Sequence, residues 1–211
     1  MNSTTSTTPT ASIESLTLEV TDVAAAERFY SAFGLGSRVR LRASEEPTTG
    51  FRGFSLSLTV SQPADVRGFV DAAVEAGATV LKPASKSFWG YGGVVQAPDG
   101  AIWKIATSAK KDTGPATRKI DEMVLLIGAA DVAESKQFYV DQGLRVTKSF
   151  GRKYVEFATA DSSPVKLALY GRRALAKDVG VPVDGTGSHR IALGTTGSAF
   201  TDPDGFAWEE A

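Results

Sequence analysis

The side chains best suited to holding a small molecule are four aromatic residues beside a glycine-rich turn. Phe88, Trp89 and Tyr91 lie in the run Phe-Trp-Gly-Tyr-Gly-Gly, and Trp103 follows a Pro-Asp-Gly turn. Aromatic residues at strand and loop spacing usually pack in a core, but they also line apolar ligand pockets. We predict that all four line such a pocket, with Trp89 as the best ligand contact, and core packing is the alternative for each. No helix pattern follows the glycine run, so it does not indicate a phosphate loop.

His189 is the single histidine, and the chain has no cysteine. The lack of cysteine excludes a disulfide scaffold and a thiolate metal site. A triad of Ser, His and Asp cannot be assigned, because the sequence does not place one histidine beside a nucleophile. A lone histidine at the start of a strand is most often a hydrogen-bonded structural residue, and it is also a common metal ligand.

The elements that must position these residues occur twice. Residues 16–35 and 125–144 both contain an alternating apolar strand, then Asp-Val-Ala, a helix bearing Phe-Tyr, and Gly-Leu. The alternation predicts a sheet with one buried face. Asp22 and Asp131 are placed to cap the helices, and the glycines suit the left-handed backbone conformation in which many helices end. The chain is therefore predicted to be an internal duplication of a strand–helix unit.

A second repeated segment closes each copy. Residues 97–105 and 201–209 both contain Pro-Asp-Gly followed by Trp, which predicts a tight turn into a last strand anchored by the indole. The order of strands and helices predicts an α+β fold.

The predicted organisation has two halves and a tail. A polar linker at 109–119 separates residues 13–108 from residues 120–211. The Ser- and Thr-rich residues 1–12 are predicted to be a disordered tail. We expect a cytoplasmic protein, because the tail does not resemble a signal peptide and no apolar run is long enough to span a membrane.

This pattern resembles the vicinal oxygen chelate superfamily, which includes glyoxalase I, bleomycin-resistance proteins and extradiol dioxygenases. The resemblance rests on the repeated strand–Asp–helix–Phe-Tyr–Gly-Leu unit, on Trp-Gly-Tyr-Gly-Gly at 89–93, and on the two Pro-Asp-Gly…Trp segments. It implies paired βαβββ modules, with two glyoxalase-like halves each forming a curved mixed sheet around a cup. It equally allows modules to be exchanged between the halves.

Chelating members of that superfamily hold a divalent metal with side chains from three strands. The matching positions in the second half are Glu122, His189 and Glu209, which implies a site for Zn, Ni, Mn or Fe(II). Glu209 would also be the catalytic carboxylate that moves a proton. The first half has serine, phenylalanine and lysine at these positions, which cannot hold such an ion. If modules are exchanged, neither cup contains all three ligands.

Three functions stay open at this level. The first is binding of a small apolar or aromatic molecule without a complete metal site, as in bleomycin-resistance proteins. The second is a metal-dependent lyase or isomerase, or a dioxygenase-like enzyme, with its site in the second half. The third is a non-catalytic interaction module. The resemblance implies no nucleotide, flavin or haem.

The bulk charge narrows the list of partners. With a formal net charge of −1, the chain has no overall field that would attract nucleic acid or an anionic membrane. The predicted partner is a small-molecule ligand. Because the duplication places paired modules in one chain, we expect a monomer (a pseudo-dimer) or a weak homodimer.

Overall fold

The computed structural model describes residues 12–160 and 162–211. The predicted tail, apart from Ser12, lies outside the described residues. The helices are α1 (Val23–Phe33), α2 (Pro63–Glu75), α3 (Val132–Asp141) and α4 (Arg172–Val179). Within the described ranges, none of the helices has the length and apolar character needed to cross a membrane.

The strands alternate with these helices in both halves. The first half contains β1 (Ile13–Val20), β2 (Arg40–Ala43), β3 (Thr48–Gly50), β4 (Phe54–Thr59), β5 (Thr79–Ser87), β6 (Gly90–Gln96) and β7 (Ile102–Thr107). The second half contains β8 (Glu122–Ala129), β9 (Val146–Phe150), β10 (Tyr154–Phe157), β11 (Lys166–Gly171), β12 (Gly185–Gly187), β13 (Ile191–Thr195), β14 (Phe200–Thr201) and β15 (Ala207–Glu210).

The strands form two curved mixed sheets and a short ribbon, which confirms the α+β class. The eight-stranded sheet has the order β5-β6-β7-β4-β8-β11-β10-β9, and the five-stranded sheet has the order β14-β15-β13-β1-β2. The ribbon pairs β3 with β12. Both main sheets contain parallel and antiparallel neighbours.

Each main sheet draws strands from both halves, so a half does not close a sheet of its own. β4 pairs with β7 on one side and with β8 on the other, and β1 pairs with β13. β7 and β8 are the two neighbours of β4 in the eight-stranded sheet, so they lie about 10 Å apart and the connection between them crosses one strand. This is the exchanged arrangement of modules that the sequence left open, and it decides which side chains share a face.

The predicted capping residues lie where the repeat placed them. The Asp22 carboxylate accepts a hydrogen bond from Ala25 N at the start of α1, and Asp131 does the same from Ala133 N at the start of α3. Gly34 ends α1 with φ at 89°. These contacts satisfy backbone groups that a helix end leaves free.

The repeated Phe-Tyr and Pro-Asp-Gly…Trp segments meet in the core. The Tyr139 hydroxyl donates to Asp202 Oδ2 at 2.6 Å and accepts from Trp208 Nε1 at 3.3 Å. In the first half, Tyr30 donates to Asp99 Oδ2 at 2.6 Å. The repeat thus encodes a tyrosine that joins each helix to the closing turn. Burial is the main reason that the pKa of both tyrosines is raised, which keeps them as neutral donors.

The helices cover the two faces of the eight-stranded sheet unequally. The main core lies on the face packed against α2 and α3, where Phe69 and Tyr139 contribute buried rings. On the opposite face, which we call the inner face, α4 packs against β4, β8 and β11. Leu175, Ala176 and Val179 of α4 form a second apolar cluster there. The helix therefore fills part of the space that a cup would offer to a guest.

Candidate functional site

The rest of the inner face carries a groove of about 320 Å³. Strands β5, β6 and β7 form its floor. Gly92, Val94 and Ala106, which have small or apolar side chains, lie on this floor. The β5–β6 turn, with Trp89, borders the groove, and Asp178 at the end of α4 also lines it. The groove is thus an apolar trough between a sheet and a helix that the chain itself supplies.

Two lysines on the groove hold the last turn of α4 in place. Lys82 Nζ donates to the carbonyls of Lys177 and Asp178 at 2.8 and 2.5 Å. Lys104 Nζ forms an ion pair with Asp178 at 2.7 Å. Cations favour the C-terminal end of a helix, where carbonyl groups lack partners. Because these charged groups bind one another and the end of α4, the part of the groove that stays open is mainly apolar.

The glycine-rich run shapes the turn that carries the aromatic side chains. Gly90 has φ at 141°, and a Cβ there would clash with the carbonyl oxygen of Thr107. Only glycine lets the turn approach β7 so closely. Trp89 is left 83% exposed beside the groove, and its ring meets Phe88 edge-on at 5.0 Å between centroids.

The four predicted aromatic ligand contacts separate in the structure. Trp89 borders the groove, whereas the Tyr91 ring lies on the opposite face of the sheet, under Arg67 of α2, so the prediction that it contacts a ligand there is wrong. Phe88 points away into solvent, 80% exposed. Trp103 is fully buried in the main core, so the prediction that it contacts a ligand is wrong. Alternation sets its direction, because its neighbours Ile102 and Lys104 lie on the inner face.

The three predicted metal ligands do not come together. Glu122 lies in the eight-stranded sheet, Glu209 in the five-stranded sheet, and His189 in the segment before β13. Across residues 12–160 and 162–211, no three His, Asp or Glu side chains are grouped to hold a metal ion. The exchange of modules separates the set that the second half was expected to supply.

Their individual contacts also fit a metal poorly. His189 faces two backbone carbonyls, with Nδ1 at 2.5 Å from Arg52 O and Nε2 at 3.0 Å from Asp204 O. Its ring stacks on Phe206 with the centroids 3.9 Å apart. Both ring nitrogens face carbonyl oxygens of the chain, so neither is directed at an open cation site, and His189 joins two chain segments instead.

Side-chain cations neutralise the two predicted carboxylate ligands. Arg42 makes two hydrogen bonds of 2.8 Å to Glu209 and one of 2.6 Å to Glu19. In the other sheet, Lys166 pairs with Glu122 at 2.6 Å and with Glu156 at 3.1 Å. The sequence pattern does not predict these two contacts, because the partners of Arg42 on β2 and Lys166 on β11 are set only when the strands pair. The residues present do not fit a divalent metal.

The same contacts bear on Glu209 as a catalytic base. The Arg42 hydrogen bonds lower the pKa of Glu209 and raise that of the guanidinium. An effective general base has a pKa near the working pH, so a carboxylate held in this way is a weak proton acceptor. Burial opposes the charge on Lys166, but the hydrogen bonds that it donates to Glu122 and Glu156 outweigh burial and raise its pKa.

The comparisons with known proteins concern the fold. No protein-family model matches the sequence, and no curated protein matches it. Glyoxalase I from Zea mays matches with a TM-score of 0.59 and 14% identity, over 94% of this chain and 91% of its own. A proposed dioxygenase from Bacillus subtilis subsp. subtilis str. 168 matches with a TM-score of 0.59 and 10% identity, over 93% of this chain and 83% of its own.

A shorter neighbour matches one half only. It is a glyoxalase/bleomycin resistance protein/dioxygenase family enzyme from Burkholderia phytofirmans PsJN, with 19% identity and a TM-score of 0.40. The match covers 46% of this chain and 98% of that protein.

The two longer matches show that this chain has the fold of glyoxalase I. This is the fold that the resemblance of the repeated segments implied. Identities this low show the fold alone, and the site must supply the function.

Proposed function

We propose that this protein binds a small, mainly apolar molecule with an aromatic portion, without a metal, in the groove on the inner face. The observation that carries the proposal is the groove of about 320 Å³ beside the exposed indole of Trp89. Exposed large aromatic side chains next to a concave surface are a common feature of ligand sites.

The charges around the groove favour a neutral guest. The two lysines that line it, Lys82 and Lys104, are engaged by α4, and Asp178 is engaged by Lys104. A charged ligand would have to compete with these contacts. An apolar ligand instead gains about 25 cal/mol for each Å² of apolar surface removed from water.

Helix α4 gives the groove a fixed size. It packs on the inner face through the fully buried Leu175 and Val179, so the guest meets a side wall as well as a floor. A guest the size of one or two fused aromatic rings would lie between Val94 and Trp89. We further propose that the chain acts as a monomer, since each sheet already contains strands of two modules.

A titration with 1-naphthoate and its neutral amide tests this proposal. The expected result is saturable quenching of tryptophan fluorescence, with the amide bound at least as tightly as the acid. Trp89→Ala should weaken binding by about tenfold, because an aromatic pair contributes about 0.5–1.5 kcal/mol beyond its buried area. The matched control is Phe150→Ala, which removes an exposed ring on β9, away from the groove and from Trp89. Equal affinities for wild type and Trp89→Ala, measured by calorimetry, would refute the proposal.

The rival function, a metal-dependent lyase or isomerase, has its own test. Protein incubated with Zn, Ni or Mn and then desalted should stay free of bound metal, because the predicted ligands are engaged elsewhere. About one ion per chain, lost in His189→Ala, would support the rival instead. If neither metal nor any aromatic probe binds, the chain is best described as an interaction module.

A further inference from the structure

A second cavity, of about 380 Å³, lies where β1 ends, beneath the segment that carries β3. It shares no lining residue with the inner-face groove. Its polar lining includes two guanidinium groups, from Arg52 and Arg190, and the hydroxyl of Thr48. The two acidic side chains on its wall, Asp99 and Glu19, are already engaged, as described below.

Arg190 is held in an unusual position for a charged residue. It is only 6% exposed, its Nε has no hydrogen-bond partner among the described residues, and its Nη1 donates to Ser44 O. Its backbone has φ at 57°, a left-handed conformation that is costly for a residue with a side chain. Strain of this kind concentrates where a side chain must be aimed at a site. A buried guanidinium with a free N–H is likewise expensive unless something completes it.

Contacts of its carbonyl group and of its guanidinium group fix the position of Arg52. Its carbonyl oxygen lies 2.5 Å from His189 Nδ1, and its guanidinium Nη2 donates to Asp99 O at 2.5 Å. The single histidine of the chain is therefore part of the frame that presents this arginine. Burial lowers the pKa of Arg52, Asp99 opposes that shift, and the positive charge of Arg190 adds to it.

The nearby carboxylates do not pair directly with these two cations. Within the described residues, neither arginine lies within 4.0 Å of a carboxylate oxygen. The Asp99 carboxylate accepts from the Tyr30 hydroxyl and from Ala101 N, and Glu19 pairs with Arg42. The cavity thus has two guanidinium groups and a shortage of acceptors. Thr48 Oγ1 adds a buried hydroxyl that also lacks a partner.

We infer that this cavity binds the oxyanion group of a small molecule, a carboxylate or a phosphate, between Arg52 and Arg190. Guanidinium groups bind planar and tetrahedral oxyanions through paired N–H donors. The Thr48 hydroxyl donates a further hydrogen bond to the same group. The volume accommodates the oxyanion with a short carbon chain.

Thermal unfolding and calorimetric titration with inorganic phosphate and with acetate test this inference. Ionic strength is held constant with chloride. Saturable binding of phosphate alone identifies a phosphorylated ligand, binding of acetate alone identifies a carboxylate, and binding of both identifies a general oxyanion site. Each of these results supports the inference. No saturable effect from either anion would overturn it.

Variants locate the site. Arg52→Gln should weaken binding by about 10- to 100-fold, because hydrogen bonds to charged groups are strong, and Thr48→Val by about 3- to 10-fold. The control Arg38→Gln removes the same charge from an exposed position and should bind like wild type. If Arg52→Gln does not fold, Thr48→Val and the NMR signal of the Arg190 Nε–H group remain as readouts. Unchanged affinity in the folded variants, or an Arg190 Nε–H signal that does not shift when the anion is added, would overturn the inference.

Discussion

Removing the hydroxyl of Tyr139 is predicted to cost about 3 kcal/mol of stability. In Tyr139→Phe, Asp202 loses the donor to Oδ2 and the Trp208 indole N–H loses its acceptor. Tyr139, Asp202 and Trp208 are 0%, 4% and 1% exposed, so water cannot replace the lost contacts. A buried group left without a partner costs about 1–3 kcal/mol, and a charged one more. For a chain of this length the midpoint of thermal unfolding should fall by about 6–12 °C.

The penalty should depend on pH. Burial is the main cause that raises the pKa of Asp202, and the hydrogen bond from Tyr139 is the largest opposing one. A raised pKa means that the folded state holds the proton more tightly, so this stability is lost as pH rises through the folded value. Without Tyr139 the pKa of Asp202 rises further. The difference between variant and wild type should therefore shrink as the pH falls from neutral and Asp202 becomes protonated in both proteins.

The duplicated motif provides the matched control in the same chain. Tyr30→Phe removes an equivalent bond to Asp99, but that carboxylate is partly exposed, so solvent compensates. We expect a loss of about 1 kcal/mol or less, measured by urea unfolding followed with far-UV circular dichroism. Equal losses for the two variants, or a Tyr139→Phe penalty that does not change with pH, would refute this reasoning.

Three further predictions concern α4, the glycine-rich turn and the single histidine. Leu175→Ala should lower the free energy of unfolding by about 2–5 kcal/mol in urea melts, because the side chain is fully buried, while Leu175→Met should cost less than about 1.5 kcal/mol. Gly90→Ala should destabilise by more than about 1 kcal/mol, whereas Gly171→Ala, where a Cβ meets nothing within 4 Å, should be close to neutral in the same assay. His189→Ala should lose about 1–3 kcal/mol, because it removes a ring that stacks on Phe206 and faces two backbone carbonyls, and it should leave metal content unchanged by elemental analysis; a fall in bound metal would contradict the structural role.

Local pattern predicted the elements well where helix and strand signals were strong. Both capping aspartates, Asp22 and Asp131, lie where the repeat predicts them. The repeated segments contain neither α4 nor β3. Both elements are stabilised by partners far along the chain, β8 for α4 and β12 for β3, which local pattern cannot supply.

The site was harder to predict because it depends on which modules pair. The sequence identified Trp89 and the glycine-rich turn, which form the groove together. It could not separate Trp103 from them, since alternation alone does not say which face becomes the core. The roles of Arg42 and Lys166 follow from strand pairing across the two halves, and so does the shortage of acceptors around Arg190.

Binding in the inner-face groove is tested most directly by an NMR titration of metal-free protein with 1-naphthamide, read at methyl and indole signals. We predict saturable shifts confined to the Trp89 indole and to the methyl groups of Val94 and Ala106. Shifts that map instead to the five-stranded sheet, or that appear only after a divalent metal is added, would contradict it.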